Sequence, residues 1–200
     1  MIVVGITGNF SSGKSAVTAI FKKLGAKVFD ADIAAKEVVR KGTALHRAIL
    51  QIFGKEFMDK KGEINRRKLA HRVFSEPKDL KKLNILIHPE VIFEAMKMKK
   101  NLQHKKGLMV LDAPLLYETK MERLADVVVV VNAARGRMIS RAAKKGVSPA
   151  LSKKILAAQW PLAKKVRRAD YVIENNGDKK ELEKKARLIF QQIQQEAAQK

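Results

Sequence analysis

Two hundred residues suffice for one substantial core, or for one core carrying a small inserted subdomain, and exclude a long multidomain assembly. An apolar content of 46% excludes a disordered chain, and the longest apolar runs, such as Val127 to Val131, fall far short of the roughly 20 residues a membrane helix needs. The 42 basic against 20 acidic residues give a net charge of +22, which favours an anionic partner without choosing among nucleic acid, a membrane surface and phosphorylated metabolites. With no cysteine, disulfides and thiolate metal sites are excluded.

The chain opens on an apolar strand with no charged leader before it, so no secretory signal is expected and a cytoplasmic location is. Apolar runs predict strands at Ile2 to Thr7, Lys27 to Phe29, Leu108 to Leu111, Val127 to Asn132 and Tyr171 to Glu174. Runs that are apolar throughout suit strands covered on both faces, and the segments between them carry helical spacing. The expected class is therefore α/β, a parallel sheet flanked by helices. Between the second and third strands, helical patterns at 34–40, 44–53, 66–74, 79–87 and 91–103 make a stretch too long for a plain crossover. It reads as an inserted helical subdomain of about 34–106, with the core at about 1–33, 107–133 and 169–200. A second helical excursion, about 134–168, is broken near Gly146 to Pro149 and at Pro161. The segment from Lys120 to Arg168 holds thirteen Lys or Arg against Glu122 and Asp126, a net +11 that makes it a candidate basic lid. The last segment, Lys179 to Ala198, predicts an amphipathic helix with Leu182, Ala186, Ile189, Phe190 and Ile193 on one face.

Directly after the first strand, Gly8-Asn9-Phe10-Ser11-Ser12-Gly13-Lys14-Ser15 fits G-x-x-x-x-G-K-[ST] and leads into a helical pattern, the strand, loop and helix context that the motif requires. Glycines at 8 and 13 allow a sharp turn that points successive N–H groups at a β-phosphate, beside the positive end of the helix. Lys14 would reach β and γ oxygens, and the Ser15 hydroxyl would complete a Mg²⁺ shell. The motif implies a nucleoside triphosphate but not what receives the phosphoryl group. The second strand ends in Asp30-Ala31-Asp32, at the edge where open α/β sheets bind ligands. Asp30 reads equally as a helix cap, whereas Asp32 could accept the acceptor hydroxyl's proton or hold the metal.

Beyond these motifs, Arg66-Arg67-Lys68-Leu69, Val73-Phe74, Ile87-His88-Pro89, Asp112 through Glu118, Ala157-Ala158-Gln159, Lys165, and Ala169 through Gly177 follow in order. Taken together the set closely resembles the dephospho-coenzyme A kinase family, over nearly the whole chain. The resemblance implies a P-loop-type five-stranded sheet with an acceptor-binding helical subdomain and a lid. It also implies MgATP-dependent phosphorylation of the ribose 3′-hydroxyl of dephospho-coenzyme A, the last step of coenzyme A biosynthesis. Small-molecule partners are then expected, with neither nucleic acid nor membrane. Carried over residue by residue, Asp32 matches the proposed catalytic base. Gly8, Ser11, Ser12, Gly13, Lys14, Ser15 and Ala16 match ATP contacts, with Ser15 and Asp32 toward the metal. Arg141 matches a lid arginine near the ATP phosphates, and Asn175 and Gly177 match a loop near the ATP adenine. His88, Leu115, Leu116 and Tyr117 match the acceptor cleft, and Arg66 and Arg67 would grip the acceptor's diphosphate or pair with acids. His88-Pro89 also reads as the join between two helices, and Trp160 as packing between lid helices.

This sequence departs from the usual family pattern at Asn9, Phe10, Ser11 and Ala16 in the loop, and at Lys145 and Gly146, where the lid usually carries Arg followed by Asp. Lys keeps the charge and loses the bidentate fork. A nucleoside or nucleotide kinase of the same fold is the alternative reading, and a nucleic-acid binder with a vestigial loop is a third, motivated by the charge.

Overall fold

The apolar runs become β1 (Ile2–Thr7), β2 (Lys27–Asp30), β3 (Leu108–Asp112), β4 (Val127–Asn132) and β5 (Tyr171–Glu174) in the computed structural model, which describes residues 1–198. They form one sheet of order β2-β3-β1-β4-β5 with every pairing parallel. The second and third strands each run one residue further than their apolar runs, onto an aspartate. Asp30 and Asp112 are thereby in register, side by side at the carboxyl edge. Connections after β1 and β4 leave toward opposite sides, so the crevice between these neighbours is the switch point where such sheets take ligands.

Nine α-helices are described: α1 (Lys14–Lys23), α2 (Ala31–Glu37), α3 (Ala44–Phe53), α4 (Arg66–Ser75), α5 (Pro77–Leu102), α6 (Arg135–Ala143), α7 (Pro149–Ala157), α8 (Leu162–Val166) and α9 (Lys179–Ala198). The chain divides into two compact units, Met1–Asp30 with Met96–Lys200, and Ala31–Ala95.

In the first unit, α1 and α9 cover one sheet face. Val17 and Phe21 of α1 meet Leu182, Ala186, Ile189, Phe190 and Ile193 of α9 over Val4, Ile6, Val110, Val129, Val131 and Ile173, and Phe21 and Phe190 make an edge-to-face pair at 5.1 Å. On the other face Gly5 lies beneath the fully buried Leu116, and a Cβ there would fall 2.8 Å from a Leu116 methyl. Two acids tie strand starts to the turns before the neighbouring strands: Val3 N–H donates to Asp126, just before β4, at 2.8 Å and Val128 N–H to Asp170, just before β5, at 2.7 Å.

The second unit has its own core of Val39, Ile49, Phe57, Ile64, Leu69 and Val73. Side-chain oxygens of Thr43 and Asn65 cap α3 and α4. Two sequence expectations need correction. First, α2 starts at Ala31, straight after β2, and so lies three residues earlier than the pattern at 34–40. Second, 79–87 and 91–103 are one continuous helix, with Pro89 inside it and no join at His88-Pro89. Pro89 deprives the carbonyl four residues earlier of its partner, but Ile85 is 64% exposed, so water can serve that carbonyl.

Both tyrosines of the chain are held neutral. Burial and the neighbouring Asp170 charge push the Tyr117 phenol up to about 12, and a hydrogen bond to Glu196 with partial burial does the same for Tyr171. A phenol whose folded pKa is raised stabilises the fold fully below its ordinary value near 10, and that contribution is lost as pH rises through about 12. Phenolate absorbance is therefore expected to stay nearly absent through pH 10 and to rise with a midpoint near 12. A phenolate titration centred near 10 with the helices intact would contradict this packing.

Candidate phosphoryl-transfer site

The turn from Gly8 to Gly13 joins the end of β1 to the start of α1. Gly13 is the residue before the helix, in the left-handed region at φ 103°, and a side chain there would collide with the Asn175 amide. A Cβ on Gly8 would lie 2.6 Å from the Val131 carbonyl. Ser11 also adopts a positive φ of 59°. No side chain caps α1 and no acid stands in its first turn, so the helix presents its free N–H groups and positive end to the loop. The Ser12 hydroxyl inside the loop is fully buried and has no partner. An uncapped helix start, a left-handed glycine and an orphaned buried hydroxyl together fit an anion such as a phosphate.

Lys14 is buried, and its ammonium pairs with the Asp112 carboxylate, whose side chain is 1% exposed. Register explains the pairing: Asp112 lies opposite Ile6, and the last residue of β1, Thr7, leads into the loop. Ser15 and Ala16 are exposed at the first turn of α1, and the Ala16 N–H returns to the Gly13 carbonyl.

Two of the residues expected near the nucleotide meet at the loop. Arg141 of α6 donates from Nη1 to the Ser12 carbonyl at 3.1 Å and from Nη2 to the Asn175 carbonyl at 3.0 Å and side-chain oxygen at 3.2 Å. Asn175, just past β5, donates its amide to the same Ser12 carbonyl at 2.7 Å. Asn176 accepts from the Ala134 N–H at 2.8 Å, which ties the β5 loop to the start of α6, and Gly177 follows half-buried against Glu181.

The first half of the loop is held by residues that the sequence did not single out for this task. The Asn9 amide donates to the Trp160 carbonyl at 3.1 Å, Gln159 accepts from the Phe10 N–H at 2.8 Å, and the Phe10 ring packs with Met138, Ile139, Leu156 and Leu162. Trp160, expected between lid helices, instead stacks on Tyr117 at 6.1 Å and 3°, with Lys164 lying 3.7 Å over its ring. Leu115 is half-buried, Leu116 is enclosed under the sheet, and Tyr117 is 4% exposed with its hydroxyl donating to the Arg168 carbonyl at 2.8 Å.

Within the second unit, Asp32 occupies the first turn of α2, two residues after the end of β2. Arg66 donates to the Lys36 carbonyl at 2.9 Å, whereas Arg67 lines an open cavity of about 500 Å³ with Phe57, Asn65, Lys68, His71 and Arg72. His88 is half-buried in α5. Among the described residues no helix is long and apolar enough to cross a membrane, and no group of three His, Asp or Glu forms a ready metal cage.

The family model for dephospho-CoA kinase matches residues 2–181. The dephospho-CoA kinase of Geobacillus kaustophilus is 38% identical over 193 residues, 96% of either chain, and that of Aquifex aeolicus is 36% identical over 95% of this chain and 96% of its own. A crystal structure from Thermus thermophilus superposes with a TM-score of 0.76 at 32% identity, covering 96% of this chain and 97% of the other. Shikimate kinase from Bacteroides thetaiotaomicron, with a TM-score of 0.55 at 12% identity over 96% of this chain and 98% of its own, shares the fold alone. A strand, phosphate loop and helix at the switch point of an all-parallel sheet, with matches that run from end to end, show that this chain belongs to the dephospho-CoA kinase family.

Proposed function

We propose that the chain transfers the γ-phosphoryl group of ATP to the ribose 3′-hydroxyl of dephospho-coenzyme A, giving coenzyme A and ADP in the cytoplasm. The observation that carries this reading is the buried Lys14 ammonium, held on Asp112 beside an uncapped helix start. Phosphoryl transfer has a loose transition state with charge spread over equatorial oxygens, so a catalyst acts mainly by positioning groups and supplying cations. Lys14 and the loop N–H groups suit the β and γ oxygens, and the orphaned Ser12 hydroxyl suits a further one.

Arg141 brings a second cation to the loop, and Asn175 with Gly177 borders the place where the base would lie. Asp32 is the proposed base, accepting the proton of the acceptor hydroxyl. Ser15 and Asp32 are the residues proposed toward magnesium, which is usually bound through one or two carboxylates and phosphate oxygens. When bound, it would neutralise charge on the transferring group.

The helical unit Ala31–Ala95 is proposed to take the acceptor, with Arg67 contributing a cation from its open cavity, and with His88 and Leu115 shaping the cleft. The helices within 134–168 are proposed as the lid that excludes water. Leu116 and Tyr117 are buried and the Tyr117 hydroxyl is engaged by the Arg168 carbonyl, so these two residues are proposed to support the acceptor site through packing.

An ADP-release assay with dephospho-coenzyme A against a panel of nucleosides and nucleoside monophosphates tests the assignment. Turnover confined to dephospho-coenzyme A is expected, and turnover confined to a nucleotide acceptor would replace it with the alternative. Lys14→Ala should abolish turnover with the circular dichroism unchanged, because its ammonium stabilises transferring charge. Asp32→Asn, nearly isosteric, should lower kcat by roughly 10² or more, whereas a loss below about fivefold would reduce Asp32 to a structural residue of α2.

A further inference from the structure

One fully buried cation stands outside this chemistry. Lys165 in α8 has no exposed surface, and its ammonium donates to Glu118 Oε1 at 2.8 Å and to the Pro114 carbonyl at 2.7 Å. Both contacts lead back to the phosphate loop. The Pro114 carbonyl also accepts from the hydroxyl of Thr7, the last residue of β1, at 3.3 Å. Glu118 Oε1 also accepts from the Trp160 N–H at 2.8 Å, and the Trp160 carbonyl takes the Asn9 amide. Lys165 thus lies two contacts from the residue before the loop and three from its second residue.

The charge itself calls for a reason. Replacing a buried ion pair by apolar side chains of similar volume is often neutral or stabilising, so a pin for packing needs no ammonium. Here one carboxylate oxygen of Glu118 is buried without any partner, which leaves the pair incompletely compensated. Burial holds Lys165 below the ordinary lysine range against the opposing pull of Glu118, and the Lys14 charge pushes the same way. Lys165 rests on the Pro114 carbonyl, two residues after the Asp112 that holds Lys14, and the two buried ammonium charges repel each other. A triphosphate at the loop would compete with Asp112 for Lys14, and repulsion between the two ammonium groups weakens the hold of Asp112.

We propose that Lys165 is a positioning residue for phosphoryl transfer: its charge biases Lys14 away from Asp112 toward the triphosphate, while its anchors on Pro114 and Glu118 fix the entry to the phosphate loop. This rests on the assignment of the loop to ATP.

Lys165→Met combined with Glu118→Gln removes both charges and keeps an acceptor for the Trp160 N–H. Thermal denaturation, ATP titration calorimetry and steady-state kinetics are then compared with the native chain. The expected result is a melting temperature within about 5 °C of native, with ATP affinity and kcat each lowered about tenfold or more and KM for dephospho-coenzyme A unchanged. Native ATP affinity and kcat at a retained melting temperature would overturn the proposal.

If the double variant melts earlier than that, Lys165→Ala decides. Recovery of ATP affinity with added propylammonium, and not with propanol, upholds a role for the charge, whereas equal recovery with both, or with neither, overturns it. Absence of ATP binding by the native chain would instead sink the loop assignment, so the two failures are distinguishable.

Discussion

A lysine ammonium removed from water must be compensated wherever it rests, and the carboxyl edge of this sheet is arranged around that requirement. In its proposed role Lys14 acts on a phosphate from a dry site, because charge interactions weaken steeply in water. Asp112 supplies the opposite charge, and both side chains are almost wholly buried. The compensation depends on the parallel register that sets Asp112 opposite Ile6, one residue from the end of β1. A slip of one residue between β1 and β3 would turn Asp112 to the other face and leave Lys14 alone in a low-dielectric site.

The loop is braced from its other side by the helical excursion after β4. Asn9 and Phe10, which stand where the family pattern has other residues, provide a side-chain hydrogen bond to the Trp160 backbone and an apolar contact with α6, α7 and α8. The Ser12 carbonyl takes donors from both Arg141 and Asn175. Loop, excursion and the segment after β5 are therefore joined by directional bonds. A substitution at Asn9 or Phe10 acts on the helices as much as on the phosphate cradle.

The basic segment from Lys120 to Arg168 separates into cations with different physical situations. Arg141 is bonded to the loop backbone, Lys165 is enclosed against Glu118, and Lys164 and Arg168 lie on the Trp160 and Tyr117 rings. Net charge describes the field that such a segment projects toward an anionic ligand, but not which of its cations reaches one.

Local sequence determined the strands, the phosphate loop and the breaks between α6, α7 and α8, because each is written in adjacent residues: apolar runs, glycines at fixed spacing, Ser148-Pro149 and Pro161. It placed a helix join at His88-Pro89 that does not exist, since a proline's lost hydrogen bond can be supplied by water on an exposed face and a helix can continue through it. The partners of Lys14, Asn9, Arg141 and Lys165 lie 98, 151, 129 and 47 residues away. No periodicity or motif spans such distances. Only the parallel crossovers of the tertiary structure bring those groups within hydrogen-bonding reach, and only burial turns their pairing from an optional surface contact into a requirement of the fold.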